Sequence, residues 1–116
     1  MSIDKFSFGS IRIDGETFER DVVLDRGQVR LRNKKPSKRY RDEFGHTPLS
    51  IDEKIPWKCK HLVIGTGAQG ALPVMPAIRD EARRRDVELT VVKTQRAIEL
   101  LRGAGANTNA ILHVTC

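Results

Sequence analysis

Residues 61–85 read HLVIGTGAQGALPVMPAIRDEARRR, and this stretch decides the fold. His61-Leu62-Val63-Ile64 is a short unbroken apolar run, the pattern of a strand buried on both faces. Gly65 to Gly70 is a glycine turn. Pro73 or Pro76 suits the first turn of a helix, where the missing N–H of proline costs nothing. Met75, Ile78 and Ala82 then fall on one face at helical spacing. Asp80 and Glu81 precede Arg83, Arg84 and Arg85, which suits the helix macrodipole.

Toward the C-terminus the pattern repeats. Val87 to Val92 reads as a second strand, and Thr94 is placed to cap a second helix with Ala97, Ile98 and Leu101 inward. Gly103 to Gly105 ends that helix. Ala110-Ile111-Leu112-His113-Val114 is a last strand, whose direction the pattern leaves open. The order β-α-β-α-β over residues 59–116 predicts neighbouring, mostly parallel strands with right-handed crossovers, a half-Rossmann-like unit.

Toward the N-terminus the periodicity changes to antiparallel β. Phe6 to Ile13 alternates imperfectly, and Asp14-Gly15 supplies the positive φ angles of a tight hairpin turn. Thr17 to Leu24 resumes the strand pattern, Arg26-Gly27 is a second turn, and Gln28-Val29-Arg30-Leu31-Arg32 alternates cleanly. Val29 and Leu31 are expected to face the core and the arginines water. Residues 1–32 thus predict a three-stranded meander. Residues 33–58 read as a basic connecting loop in which Ser50-Ile51-Asp52-Glu53 matches a capping box and starts a short helix that Pro56 ends. The fold class expected is three-layer α/β, a mostly parallel β-α-β-α-β sheet preceded by an antiparallel β-meander, all in one domain over 1–116.

Composition agrees with a single globular domain. The chain has 116 residues, 39% hydrophobic and 31% charged, enough for a core without disulfides or a structural metal. Cys59 and Cys116 are too few for a disulfide framework. No signal-type segment or bilayer-spanning run is read, so a cytoplasmic location without a membrane partner is expected. The eight cations between Arg26 and Arg41, with no acid among them, exceed the net charge of +6, so the rest of the chain carries −2. The basic character belongs to one segment.

Three constellations could carry chemistry. Gly65-Thr66-Gly67-Ala68-Gln69-Gly70 matches G-x-G-x-x-G between a strand and a helix, where glycines let backbone amides approach a phosphate. Against a dinucleotide stand the late prolines, the absence of an acid after Val91-Val92, and a length of only half a dinucleotide fold. A small anion at this turn is the surviving ligand reading, with all six residues as its candidate site. Cys59, His61, His113 and Cys116 are zinc-ligand types. Their spacing is not that of a ribbon or finger, and ordinary buried thiols and a structural histidine are preferred, so no metal site is assigned. Arg30, Arg32, Lys34, Lys35, Lys38, Arg39 and Arg41 form the candidate partner-binding surface. Tyr40 is the one tyrosine available to stack on a base, and single-strand binders present several aromatics, so a protein partner is preferred over nucleic acid. No nucleophile elbow, zincin motif or paired-carboxylate motif occurs, no catalytic residue or cofactor is assigned, and the acids read as a solvated surface.

Gly65-Thr66-Gly67, Gly70-Ala71-Leu72, Lys93-Thr94 with Ala97, and the ending Ile111-Leu112-His113-Val114-Thr115-Cys116 together resemble a small α/β family. That family contains the adipogenesis-associated domain proteins and, more distantly, mitochondrial respiratory complex I assembly factors. The hairpin Ile11-Arg12-Ile13-Asp14-Gly15 looks like the family's start, so the resemblance covers nearly the whole chain. It implies a three-layer α/β fold with an added meander, no established activity or cofactor, and members that act in interaction or assembly. It carries over no catalytic residues. The respiratory relatives have a targeting segment, and none is read here. The function expected is therefore a non-enzymatic interaction or assembly protein, with a small-anion site at Gly65–Gly70 and nucleic-acid binding through Arg26–Arg41 as the alternatives.

Overall fold

The computed structural model describes residues 1–116. Three strands, β1 (Ile3–Ser7), β2 (Ser10–Ile13) and β3 (Glu16–Phe18), form a small antiparallel sheet in that order. Two more, β4 (Val22–Asp25) and β5 (Gln28–Leu31), form a hairpin. A 3-10 helix (Lys35–Tyr40) runs directly into α1 (Arg41–Phe44). The remaining elements alternate: β6 (His61–Gly65), α2 (Pro76–Arg84), β7 (Glu88–Val92), α3 (Thr94–Arg102) and β8 (Thr108–Leu112).

The main sheet has five strands in the order β5-β4-β8-β6-β7. β6 pairs in parallel with β7 on one side and β8 on the other, with Val63 opposite both Thr90 and Ala110. The last strand is therefore parallel, the point the sequence pattern left open. α2 lays Ile78 and Ala82 on one face against Leu62, Ile64 and Ile111. α3 lays Ala97 and Ile98 on the other against Val63, Ala110 and Leu112, where Ile3, Ile11 and Ile13 of the small sheet also pack. Two helices on opposite faces of a sheet give the three-layer α/β arrangement expected. The connections from β6 and β7 leave toward opposite faces, so the carboxyl ends of the parallel strands form the topological switch where α/β sheets place their sites. No helix is long and apolar enough to cross a membrane.

The N-terminal meander is not continuous, and this corrects the sequence reading. The run from Thr17 to Leu24 breaks at Glu19-Arg20-Asp21 into β3 and β4. The cause is burial: Val22, Val23 and Leu24 are all at most 5% exposed. Such a run needs cover on both faces, and β4 obtains it by pairing antiparallel with β8 inside the main sheet. The turns are as expected, with both residues of Asp14-Gly15 and of Arg26-Gly27 at positive φ, and a further turn at Phe8-Gly9 splits the first run.

The facing of β5 is also corrected. Leu31 is 43% exposed, whereas Arg32, expected in water, is 4% exposed. Its backbone amide donates to the Asp21 carbonyl, and its guanidinium reaches two carboxylates. The capping box does not start a helix. Ser50 and Glu53 point inward and bond Ser37 and Arg32, and the short helices form earlier, at Lys35–Phe44, closed by Gly45 at φ 75°. α2 does begin at Pro76. Thr94 is the first residue of α3 and no cap: its hydroxyl accepts from the Gly67 amide and donates to the His113 carbonyl.

Candidate functional site

The glycine turn lies at the carboxyl end of β6, and the chain after β8 crosses it. Gly67 sits at φ 106°, and a Cβ there would stand 2.5 Å from the Cys116 carbonyl carbon. Only glycine fits both the conformation and the approach. Gly65 is equally confined, since a Cβ would come within 2.9 Å of the Thr94 hydroxyl. All but one of the turn's amides from Thr66 to Ala71 are engaged internally, Gln69 being the exception. Thr66 donates to Val92 O, Gly67 to Thr94 Oγ1, Ala68 to Thr115 O, Gly70 to Gly67 O and Ala71 to Cys116 O. Ala68 and Gln69 project outward. The turn holds the C-terminal crossing in place and carries Ala71 and Leu72 into the wall of an adjacent cleft.

The basic segment divides by partner. Arg26 and Arg30 pair with Asp25 beside the edge strand β5, and Arg30 also donates to Lys54 O. Arg39 bonds Asp52 and the Tyr40 hydroxyl, and Tyr40 in turn donates to Asp52, so the tyrosine is tied into a surface cluster. Lys35 is exposed. Lys34, Lys38 and Arg41 have no carboxylate partner. All three line a cleft of about 500 Å³, together with Arg32, His46 and His113. No Asp or Glu lines it. The segment 34–47 forms one wall, Ala71 and Leu72 another, and the crossing His113–Cys116 the floor.

A buried network fixes the wall to the floor. The Arg32 guanidinium donates from Nε and Nη2 to both oxygens of Glu53, each at 2.8 Å, and from Nη1 to Asp21 at 2.8 Å. Nη2 also reaches the Pro48 carbonyl. Ser37 donates to Glu53 at 2.5 Å, which seats the 3-10 helix on the network. A guanidinium is suited to this role because its planar fork serves several acceptors at once. Asp21 Oδ2 also accepts from His113 Nδ1 at 2.8 Å, and Oδ1 accepts from the Val114 amide at 3.0 Å. Burial alone raises the Asp21 carboxyl, but the hydrogen bond and charge of His113, the Val114 amide and Arg32 outweigh it and hold it at about 2. Asp21 is thus a carboxylate that only accepts, and the proton between it and His113 sits on Nδ1. The other ring nitrogen, Nε2, lies 3.1 Å from Thr115 Oγ1.

The cysteine and histidine set is separated by the sheet itself. His61 opens β6 and pairs in register with Thr108 at the start of β8, whereas His113 follows the other end of β8. His61 bonds Thr90, and Cys59 donates to the Pro56 carbonyl. Burial pushes the Cys59 thiol above its ordinary value, the opposite of what a reactive thiolate needs.

Sequence reasoning passed over Asp21, His46 and Thr115, and read Glu53 only as a helix cap. Asp21 precedes the run Val22-Val23-Leu24 and looks like one more polar residue at a strand's start. Its partner His113 is 92 residues away, and no local pattern links the two.

The model of a family described as a protein of unknown function (DUF498/DUF598) matches residues 3–113. Among solved structures, the chain is similar to a conserved hypothetical protein from Pyrococcus horikoshii, with 27% identity, all of both chains covered and a TM-score of 0.82. It is similar to a protein named MT938 at 27% identity, over 98% of this chain and 97% of that one, with a TM-score of 0.74. An outer membrane protein from Bartonella henselae shares the fold at 16% identity, over 98% of this chain and 94% of that one, with a TM-score of 0.65. No curated protein matches the chain.

Proposed function

The chain belongs to the DUF498/DUF598 family of proteins of unknown function, and from the cleft itself we propose that it binds a small anionic ligand. One observation carries this reading: Lys34, Lys38 and Arg41 converge on a single cleft lined by no Asp or Glu side chain. Like charges gathered with no acidic side chain among them cost folding energy, and a concave surface focuses their field on whatever enters. A volume of about 500 Å³ lies within the range of small-molecule sites. The lining is mostly polar, which fits a phosphorylated or polycarboxylate metabolite better than an apolar one. The anion expected at Gly65–Gly70 then binds beside the turn, against Ala71 and Leu72, while the turn's amides hold the floor. Calorimetric titration with pyrophosphate and with citrate tests this. Binding should weaken as salt rises and disappear in the variant Lys34→Ala/Lys38→Ala/Arg41→Ala. Equal affinity in wild type and variant would refute it.

A second reading, a cytosolic interaction or assembly protein, draws on the resemblance to assembly factors and on β5. That strand is an edge of the main sheet, and its Leu31 is 43% exposed. An open edge with an exposed leucine is a ready surface for a partner strand. Affinity capture with Leu31→Lys and Arg30→Glu is the test. Arg32 must be left intact, because its reversal would strike the buried network. Recovery of the same partners by the variant and the wild type would remove this reading.

A further inference from the structure

We infer that Thr115, His113 and Asp21 form a nucleophile, base and orienting carboxylate in the floor of the cleft, able to hydrolyse an ester whose acid portion carries an anionic group. The inference rests on the anion-binding reading and adds a reaction to it. A hydroxyl becomes a nucleophile when a base lies within hydrogen-bond reach and a third group orients that base. All three conditions meet here. Asp21 is held by Arg32 and by the Val114 amide, and it accepts from His113 Nδ1 at 2.8 Å. With one ring proton on Nδ1 facing Asp21, Nε2 is the nitrogen left to face the Thr115 hydroxyl, 3.1 Å away. The histidine backbone is fixed as well: its amide donates to Gly65 O at 2.9 Å and its carbonyl accepts from Thr94 Oγ1 at 2.6 Å.

The surroundings favour the chemistry. His113 and Thr115 line the same cleft as Lys34, Lys38 and Arg41, so an acid group held by those cations brings its ester to Thr115. The same cations oppose the negative charge that develops on the carbonyl oxygen. An adjoining cavity of about 150 Å³ shares His113, Thr115 and Lys34 and gives water a second approach.

The steps balance with water as the only co-reactant. The Thr115 Oγ1 proton passes to Nε2 as Oγ1 bonds the ester carbonyl carbon. The tetrahedral intermediate collapses, the bond to the alcohol oxygen breaks, and that oxygen takes the proton from Nε2. Water then gives a proton to Nε2 and bonds the acyl carbon. The bond from acyl carbon to Oγ1 breaks, the proton returns to Oγ1, and the carboxylic acid leaves. Asp21 stays ionised and steadies the transient imidazolium.

Mono-4-nitrophenyl succinate, whose acyl part carries a carboxylate, is the probe, with neutral 4-nitrophenyl acetate as the control. The expected result is a burst of nitrophenolate, a succinyl adduct on Thr115 by peptide mass spectrometry, and a preference for the charged ester that falls about tenfold in Arg41→Ala, the loss of roughly one ionic contact. Thr115→Ala should abolish burst and adduct, and Thr115→Ser should restore both. Asp21→Asn, a positioning change, should lower kcat by about a hundredfold or more with little effect on KM. Intact pyrophosphate binding with no hydrolysis above the Thr115→Ala rate would overturn the inference and leave the anion site standing. Absence of pyrophosphate and succinate-ester binding alike would overturn both.

Discussion

Replacing Asp21 with asparagine should cost stability in a way that depends on pH, and the size follows from the structure. Asparagine keeps the shape and an acceptor for the Val114 amide, but it removes the charge that Arg32 and His113 share. The Asp21 carboxyl titrates at about 2 in the folded chain against 3.8 for the free side chain. At about 1.4 kcal/mol per pKa unit, that difference corresponds to about 2–3 kcal/mol of folding stability. Its sign is that of a depressed acid: the contribution is complete well above pH 3.8, declines as pH falls toward 2, and is gone below the folded value. Urea denaturation of both proteins from pH 7 down to pH 2 reads it directly. At neutral pH the variant's midpoint should lie about 1–2 M lower, for a urea slope typical of a small domain. The gap should close as pH approaches 2. Any fixed cost of the substitution would shift the whole curve and leave this convergence intact. A gap that stays constant from pH 6 to about pH 2 would refute the claim that Asp21 is held ionised by its partners.

Three further outcomes are expected. Arg32→Ala should destabilise the fold by about 3–5 kcal/mol in urea titration, because it leaves Glu53 and Asp21 partly buried without their cation. Gly67→Ala should cost at least about 1–3 kcal/mol, since it puts a Cβ against the Cys116 carbonyl at a positive φ; thermal denaturation would show it. Thr94→Val should cost about 1–3 kcal/mol by the same measurement, because it strips the Gly67 amide of its acceptor and the His113 carbonyl of a donor.

The elements with one dominant period were legible in the sequence. His61 to Ile64, the helix from Pro76 and the strand after Val87 each follow from local residues, and each is where the pattern puts it. The errors share one cause, partners supplied from far along the chain. Val22-Val23-Leu24 looks like a hairpin arm until β8 is there to cover it. Arg32 alternates like a surface residue until Asp21, 11 residues earlier, and Glu53, 21 later, neutralise it. Ser50 and Glu53 have the spacing of a capping box, but the same carboxylate serves Arg32 better than it would serve an amide of its own turn.

The same reasoning explains why the cleft could not be read from its letters. The basic run supplies eight cations, and what distinguishes them is which ones the fold neutralises. Arg26, Arg30, Arg32 and Arg39 each meet an acid. The remainder includes Lys34, Lys38 and Arg41, which the 3-10 helix and α1 turn toward the end of β8. That helix is seated by Ser37 on Glu53, and Glu53 is seated by Arg32. The floor is seated by Asp21 on the same Arg32 and by the glycine turn on the C-terminal crossing. One buried arginine therefore ties together the wall that carries the free cations and the floor that carries His113. The glycine turn, which by its letters suggests a phosphate loop, contributes by accepting the close crossing of residues 113–116, and so fixes where His113 and Thr115 face those cations.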